Sequence, residues 1–282
     1  MSISEDLKAK VRKKFNELYR NDEKISEQWN AIQSGGATYE EAHAYGERLG
    51  DLIREALNEV TGEDLPGGSM AYDIADTVVG DQLRLADQYM LEGCKAIQSG
   101  MNRAVKVGIR PIEPPSREDV IREVVGKVAT VSEYSPESLD AIIDFATWNL
   151  ETATQYMQVN ADFLTRAGCD MLIMRTYEGP HWDPHRGKGG SIQDCKFCKE
   201  RATNGWQEYQ GSAEQEIYRR HRGCRCMVVT KFGDKMNTAW TGAVGDSMRE
   251  LYAKESARLR ELDAENYRKE YERRREARSG RT

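Results

Sequence analysis

The chain has 282 residues, of which 39% are hydrophobic and 31% are charged, and its 47 acidic and 41 basic residues give a net charge of -6. This balance argues against a dedicated duplex-DNA binder, because such proteins usually carry a basic surplus that neutralises phosphates. The 7 prolines argue against a loop-rich sandwich.

No apolar run approaches the ~20 residues that a bilayer-spanning helix needs. The first twenty residues are charged throughout and lack the apolar region of a signal peptide. We therefore expect a protein made and kept in a reducing cytosol without a membrane step. In that compartment structural disulfides are rare and cysteine clusters more often bind metals.

The first two thirds of the chain indicate one helix after another. Thr38 and Glu41 form a capping-box pair in front of apolar residues at helical spacing. Helical spacing resumes from Met70 to about Val107. Residues 110–116 hold three of the prolines, so this segment is predicted to be non-helical and to mark an internal boundary.

The clearest predicted element is a long spine helix over residues 135–167. Ser135 is placed as its N-cap and Pro136 at its first position, where the missing N–H is not needed. Apolar residues follow at steps of three and four, and Gly168 is a suitable terminator. The length of about thirty residues suits a helical bundle, since the mean helix has ~11–12.

The pattern changes after Gly168. Residues 171–175 are predicted as a buried strand, 177–192 as a loop, 210–221 as a helix and 225–232 as a second strand. This order indicates a small α+β module. A charged helix is predicted after Gly233, from Met236 to about Glu276.

The predicted fold class is therefore mainly α, with a long spine helix, a small α+β module and a charged C-terminal helix. Four regions are expected: a helical domain (1–110), a helical region with the spine helix (111–168), the α+β module (169–233) and a C-terminal helix with a basic tail (234–282).

Four cysteines and a histidine form the one motif with clear chemical content. Cys195 and Cys198 are separated by two residues, and His221, Cys224 and Cys226 follow later. Two cysteines at this spacing can place both sulfurs on one metal ion. Thiolates and imidazole favour Zn²⁺ over Mg²⁺ or Ca²⁺. The motif offers five ligands for four positions, and the spacing alone leaves open which are used.

Such a zinc site is expected to be structural and to make residues 169–233 a zinc-stapled, metal-binding module, because four protein ligands leave no position for a reactive water. The alternatives are reduced cysteines in a small core, or a redox pair at Cys195 and Cys198. Cys94 and Cys169 are isolated in the sequence and are predicted to be buried free thiols.

A second candidate site comprises His181, Asp183 and His185, which together offer three ligands for a catalytic metal. The neighbouring glycines and Pro184 favour a solvated loop instead. His43 is interpreted as an ordinary helix residue.

The common sequence motifs of hydrolases, nucleotide-binding enzymes and zinc proteases are missing, and the context of the Cys-x-x-Cys pair does not match a zinc deaminase. We therefore expect no enzymatic activity. The basic tail is a weak candidate for nucleic-acid contact, with a solvated helix end as the alternative. Its arginines are Arg273, Arg274, Arg275, Arg278 and Arg281.

From about residue 101 to 232, the chain resembles the minor head proteins of tailed bacteriophages. The resemblance is carried by Asn160-Ala-Asp-Phe163, Ala167-Gly168, Ile173-Met-Arg175-Thr-Tyr177, the Cys195-x-x-Cys198 pair and the ending His221-x-x-Cys224-x-Cys226. The loop between Tyr177 and Cys195 is longer and richer in His and Gly than in that family.

The resemblance implies a structural virion protein of low copy number, made in the host cytoplasm and located in the capsid interior or at the portal vertex. Its implied partners are the portal and other head proteins, with the N-terminal helices docking on portal or scaffold. No small-molecule substrate is implied, and the basic tail is available to contact packaged DNA.

Two other functions stay open from the sequence. One is a zinc-dependent nuclease or hydrolase that uses His181, Asp183 and His185 and needs an open coordination position. The other is a zinc-finger-type nucleic-acid-binding protein, which needs a basic face on the module. Its candidate residues are Arg219, Arg220, Arg222 and Arg225.

Overall fold

The computed structural model describes residues 2–177, 179, 181–183, 191–193, 196–212, 216–220, 224–234, 257 and 261. Within this part the protein is mainly helical, as the sequence predicts. The helices are α1 (Ile3–Asn21), α2 (Glu23–Gln33), α3 (Tyr39–Leu57), α4 (Tyr72–Ala75), α5 (Asp81–Ala104), α6 (Glu118–Val128), α7 (Pro136–Asp140), α8 (Phe145–Arg166) and α9 (Lys196–Arg201).

The described strands are short and all follow α8 in the chain. They are β1 (Met171–Arg175), β2 (His181–Asp183), β3 (Ser191–Gln193), β4 (Gln207–Glu208) and β5 (Val228–Phe232). A three-stranded antiparallel sheet has the order β4-β1-β5, and β2 pairs with β3 separately. In the register of the main sheet, Ile173 lies opposite Thr230 on one side and Gln207 on the other.

Helix α8 is the centre of the helical body, and most of its residues are buried. Its main partner is α3, which begins with the predicted capping box of Thr38 and Glu41. The two backbones approach closely at Gly50, where an added Cβ would lie 2.4 Å from the backbone nitrogen of Ala146. The main hydrophobic cluster of the described residues extends from Leu7 on α1 to Val228 and Val229 on β5.

The predicted spine helix is wrong in one respect, because it is two helices rather than one. Ser135 and Pro136 begin a helix as predicted, but α7 ends at Asp140. Asp144 then starts α8, and its carboxylate accepts a hydrogen bond from the backbone N–H of Ala146 at 3.1 Å. Apolar residues keep helical spacing through the break, so periodicity alone does not detect it. The N-cap carboxylate is what separates the two helices.

The proline-rich segment 110–116 is non-helical, as predicted, and it packs on α8. The side-chain amide of Asn160 accepts a hydrogen bond from the N–H of Ile112 and donates one to its carbonyl oxygen, both at 2.8 Å. These two bonds satisfy the backbone N–H and carbonyl oxygen of Ile112, which pair with no strand among the described residues.

The C-terminal module (residues 169–233) has the predicted α+β character, but two predictions within it are wrong. The loop predicted over 177–192 contains β2 and the start of β3. The helix predicted over 210–221 is not formed by its described residues: Gly211 has a positive φ of 110°, and Glu216–Tyr218 is a single 3-10 turn. Asp162 on α8 accepts hydrogen bonds from the backbone and hydroxyl of Ser212, which fixes this irregular backbone.

Two 3-10 turns and a π-helical turn lie in the chain between α3 and α5. The 3-10 turns are Gly62–Asp64 and Pro66–Gly68, and the π-helical turn Asp76–Gly80 joins α4 to α5. None of the described helices combines the length and the apolar character that crossing a membrane requires. The predicted helix over 236–276 lies outside the described residues, apart from positions 257 and 261.

Candidate metal centre

Three of the predicted ligands meet in the interior of the C-terminal module. Cys198 lies on α9, while Cys224 and Cys226 lie in the extended segment before β5. All three side chains are buried, and their sulfur atoms lie within 4.8 Å of one another. We call this group the cysteine cluster. Cys195 and His221, the other two predicted ligands, lie outside the described residues.

Backbone hydrogen bonds at the end of β1 bring the two cysteine-bearing segments together. The carbonyl oxygen of Arg175 accepts a bond of 2.9 Å from the N–H of Thr203, just after α9. The N–H of Thr176 donates a bond of 2.9 Å to the carbonyl oxygen of Met227, just before β5. The end of β1 therefore lies between α9 and the Cys224–Cys226 segment.

The sulfur spacing suits a shared metal ion. The Sγ atoms of Cys198 and Cys224 are 3.5 Å apart. A disulfide requires about 2.05 Å, whereas two sulfurs on a tetrahedral Zn²⁺ with bonds of about 2.3 Å lie about 3.8 Å apart. Sulfur donors favour zinc, copper(I) or iron over Mg²⁺ and Ca²⁺. The cysteine cluster is thus able to supply three soft ligands to one ion.

A fully buried arginine lies against the cysteine cluster. Nη2 of Arg175 donates to the sulfurs of Cys198 at 3.5 Å and of Cys224 at 3.4 Å. Its Nη1 donates to the carbonyl oxygens of Ile217 and Arg219 at 2.7 and 2.6 Å. The signal for this role was in the strand pattern: alternate residues of β1 are buried, and Arg175 takes the last buried position. Sequence reasoning did not identify it as part of the site.

A second arginine joins the cysteine cluster to the helical body. Nη1 of Arg220 donates to the carbonyl oxygens of Cys226 at 2.6 Å and Cys224 at 3.2 Å. Its Nε donates to Thr154 Oγ1 on α8 at 3.0 Å. Burial lowers the pKa of Arg220, and the nearby Cys224 opposes that shift.

The backbone between Cys224 and Cys226 is also held by the helical body. His43 on α3 contacts the carbonyl oxygen of Arg225 at 2.9 Å, and the Arg225 guanidinium lies 3.4 Å from the carboxylate of Asp144. His43 therefore differs from the ordinary helix residue expected from the sequence. No local pattern marks this role, because its partner is 182 positions away.

A separate buried polar network lies between α5 and α8. The guanidinium of Arg117 stacks on Trp148 with 3.7 Å to the ring centroid and contacts Asp87 at 3.2 Å and Glu151 at 3.0 Å. Burial raises the pKa of both carboxyl groups, and Arg117 opposes that shift. Asp87 also accepts hydrogen bonds from Trp148 and Thr152. Because Arg117, Asp87 and Glu151 are paired with one another, we interpret this network as structural.

The remaining candidate residues are distributed as follows. Cys94 and Cys169 are buried free thiols, as predicted, and burial raises their pKa to about 12 and about 11. His181 and Asp183 lie on β2. Residues that lie outside the described part of the chain are His185, Arg222 and the tail arginines Arg273, Arg274, Arg275, Arg278 and Arg281.

Comparison of the chain with protein-family models, curated proteins and solved structures found no match.

Proposed function

We propose that this chain is a structural protein whose C-terminal module is held together by a zinc ion, and that it acts as a portal-associated minor head protein in the assembly of a tailed phage. The observation that carries the structural part is the burial of the three sulfurs of the cysteine cluster around one point. The viral role rests on the motif resemblance.

Zinc is the proposed metal because it binds thiolate and imidazole ligands tetrahedrally and needs no redox partner. Cys198, Cys224 and Cys226 would supply three ligands, and Cys195 or His221 the fourth. Four protein ligands give a closed site that organises the small module, whose three main strands have at most five residues each.

The position of the site favours a structural role over a catalytic one. Arg220 and Arg225 link the ligand-bearing segment to α8 and to its N-cap Asp144. Their engagement also weakens the zinc-finger alternative, because two of the four arginines proposed for a basic face are used in internal contacts. The hydrolase alternative depends on His181, Asp183 and His185, and no observation in the described residues favours it.

Metal analysis of the purified full chain tests the zinc site. We expect about one equivalent of zinc, which the Cys198→Ala variant loses. Cys94→Ala is the matched control, because Cys94 is a buried thiol on α5 outside the cysteine cluster. A metal-free wild-type protein of normal stability would refute the zinc site.

Co-expression with the portal protein of the same genome tests the assembly role. The chain is expected to co-purify with the portal ring after nuclease treatment, which removes any bridging DNA. Removing the residues after Tyr267 should reduce DNA retention and leave portal binding intact. Failure to bind the portal, together with metal-dependent cleavage of DNA, would favour the nuclease alternative instead.

A further inference from the structure

No carboxylate within the described part of the chain partners the charge of Arg175. Its side chain is fully buried, and among the described residues the guanidinium pairs with no Asp or Glu. Nη1 donates to two neutral carbonyl groups, and Nη2 to the sulfurs of Cys198 and Cys224. A buried cation without a counter-charge is strongly unfavourable, and among the described groups that contact this guanidinium only the sulfurs can carry a negative charge.

A metal–thiolate centre supplies that charge. A divalent ion with three thiolates and a neutral imidazole carries a net charge of -1, and one with four thiolates carries -2. Either centre is anionic and buried, and a guanidinium in contact with two of its sulfurs stabilises it through charge-assisted N–H···S bonds.

We propose that Arg175 is a positioning residue of the metal centre: it neutralises the metal–thiolate charge and fixes the sulfurs of Cys198 and Cys224 in the geometry that binds the ion. This inference rests on the proposed zinc site and assigns to that site a residue that is not itself a ligand.

The planar guanidinium explains why an arginine occupies this position. One edge of the group reaches the sulfurs on α9 and before β5, while the other reaches the carbonyl oxygens of Ile217 and Arg219. The side chain thus joins β1 to three other segments of the module. A lysine would bring one ammonium group, which has the charge but not the rigid fork of donors.

Zinc binding by the full chain, measured by competition with a chromophoric chelator, tests this role. Arg175→Met removes the charge and keeps much of the side-chain volume, Arg175→Lys keeps the charge, and Arg219→Met is the control on an exposed neighbouring arginine. We expect Arg175→Met to weaken zinc binding about 10- to 100-fold, as removal of an outer-shell partner does. Arg175→Lys should lose less, and Arg219→Met should match the wild type.

Cobalt(II) substitution adds a readout that a merely structural role would not change. Loss of N–H···S bonds should shift the thiolate-to-cobalt charge-transfer band in both Arg175 variants, with no shift in Arg219→Met. Wild-type affinity and an unchanged band in Arg175→Met would overturn the inference. If Arg175→Met does not fold, Arg175→Lys decides: weaker zinc binding with a shifted band supports the role, and unchanged values reject it.

The wild-type protein separates this inference from the proposal beneath it. If the wild type binds no zinc, the proposed site fails and the role of Arg175 fails with it. If the wild type binds one equivalent and the Arg175 variants bind equally well, the zinc site stands and only the role of Arg175 is rejected.

Discussion

His43 on α3 donates a hydrogen bond from Nε2 to the carbonyl oxygen of Arg225, 2.9 Å away. That carbonyl lies between two members of the cysteine cluster, Cys224 and Cys226. The contact joins the N-terminal helices directly to the ligand-bearing backbone, so the helical body and the proposed metal centre are expected to stabilise each other.

Replacing His43 with Leu should therefore destabilise both the helical body and the proposed metal centre. The Arg225 carbonyl would lose its partner at a half-buried position, at a cost of about 1–3 kcal/mol in unfolding free energy. Zinc release to a chelator should also become faster. Glu47→Gln is the control, because Glu47 lies near the opposite ring nitrogen of His43 and leaves the carbonyl contact in place. Equal zinc release from His43→Leu and the wild type would show that the contact does not support the site.

The close approach of α3 and α8 predicts that Gly50 tolerates no side chain, and the uncrowded Gly126 on α6 provides the comparison. Gly50→Ala places a Cβ 2.4 Å from the backbone nitrogen of Ala146, and a backbone contact cannot be relieved by rotating a side chain. We expect a loss of more than about 2 kcal/mol in the free energy of unfolding. Gly126→Ala on α6 meets no atom within 4 Å and should stabilise the protein by about 0.5–1 kcal/mol. Denaturant unfolding measures both, and a neutral Gly50→Ala would contradict the packing described for this helix pair.

Asp22 predicts a pH dependence of stability. Burial raises the pKa of this N-cap carboxyl, but hydrogen bonds from Arg48 and the backbone N–H of Ile25 outweigh it, so the net pKa is lowered. A lowered folded-state pKa gives stability that is present above the unfolded value of about 3.9 and is lost as the pH falls through the folded value.

The Asp22→Asn variant isolates that contribution, because it keeps an oxygen for the cap and removes the charge. We expect the wild type to be more stable by about 0.5–1 kcal/mol near pH 7, with the difference disappearing as the pH falls below about 4. Arg48→Met removes the same ion pair from the other side and should give the same pH profile. If the difference in unfolding free energy between the wild type and Asp22→Asn stays constant from pH 7 to pH 3, the difference comes from the helix cap and not from the charge of Asp22.

The cysteine cluster predicts which disulfide forms when metal is removed. The sulfurs of Cys198 and Cys224 are 3.5 Å apart, so a small movement brings them to bonding distance. After chelation and treatment with diamide, which accepts the two electrons, peptide mapping should recover a Cys198–Cys224 disulfide. The zinc-loaded protein should resist oxidation. Preferential recovery of a Cys195–Cys198 disulfide would instead favour the redox-pair interpretation of the Cys-x-x-Cys motif.

Sequence patterns predict those helices and strands whose determining residues lie close together in the chain. The apolar run at 171–175 predicts a strand with the bounds observed, because a short apolar run soon after a glycine has few alternatives. The capping box at Thr38 was likewise visible, since both of its partners lie within one turn. The spacing of the cysteines also indicated that Cys198, Cys224 and Cys226 belong to one site.

Features that depend on residues far apart in the chain cannot be predicted from local sequence patterns. The break before α8 depends on which of several polar residues becomes an N-cap, and apolar spacing continues across it. The backbone at Ser212 follows the carboxylate of Asp162, 50 positions earlier, rather than its own helical pattern. Arg175 lies last in an apolar strand, where an arginine ordinarily indicates the solvent-exposed end. Only the three-dimensional meeting of β1 with the cysteine cluster gives it a buried role.

The pairing of Asn160 with Ile112 limits how the proline-rich segment can vary. The side-chain amide of Asn160 presents an acceptor and a donor to Ile112, as the backbone of a neighbouring strand would, so α8 binds the crossing chain through a single side chain. Pro111, Pro114 and Pro115 have no N–H to offer, which leaves few positions where such an anchor can attach. Insertions on either side of Ile112 should be tolerated, whereas a shift that brings Pro111 to this point would remove the N–H that the Asn160 amide accepts and release the segment.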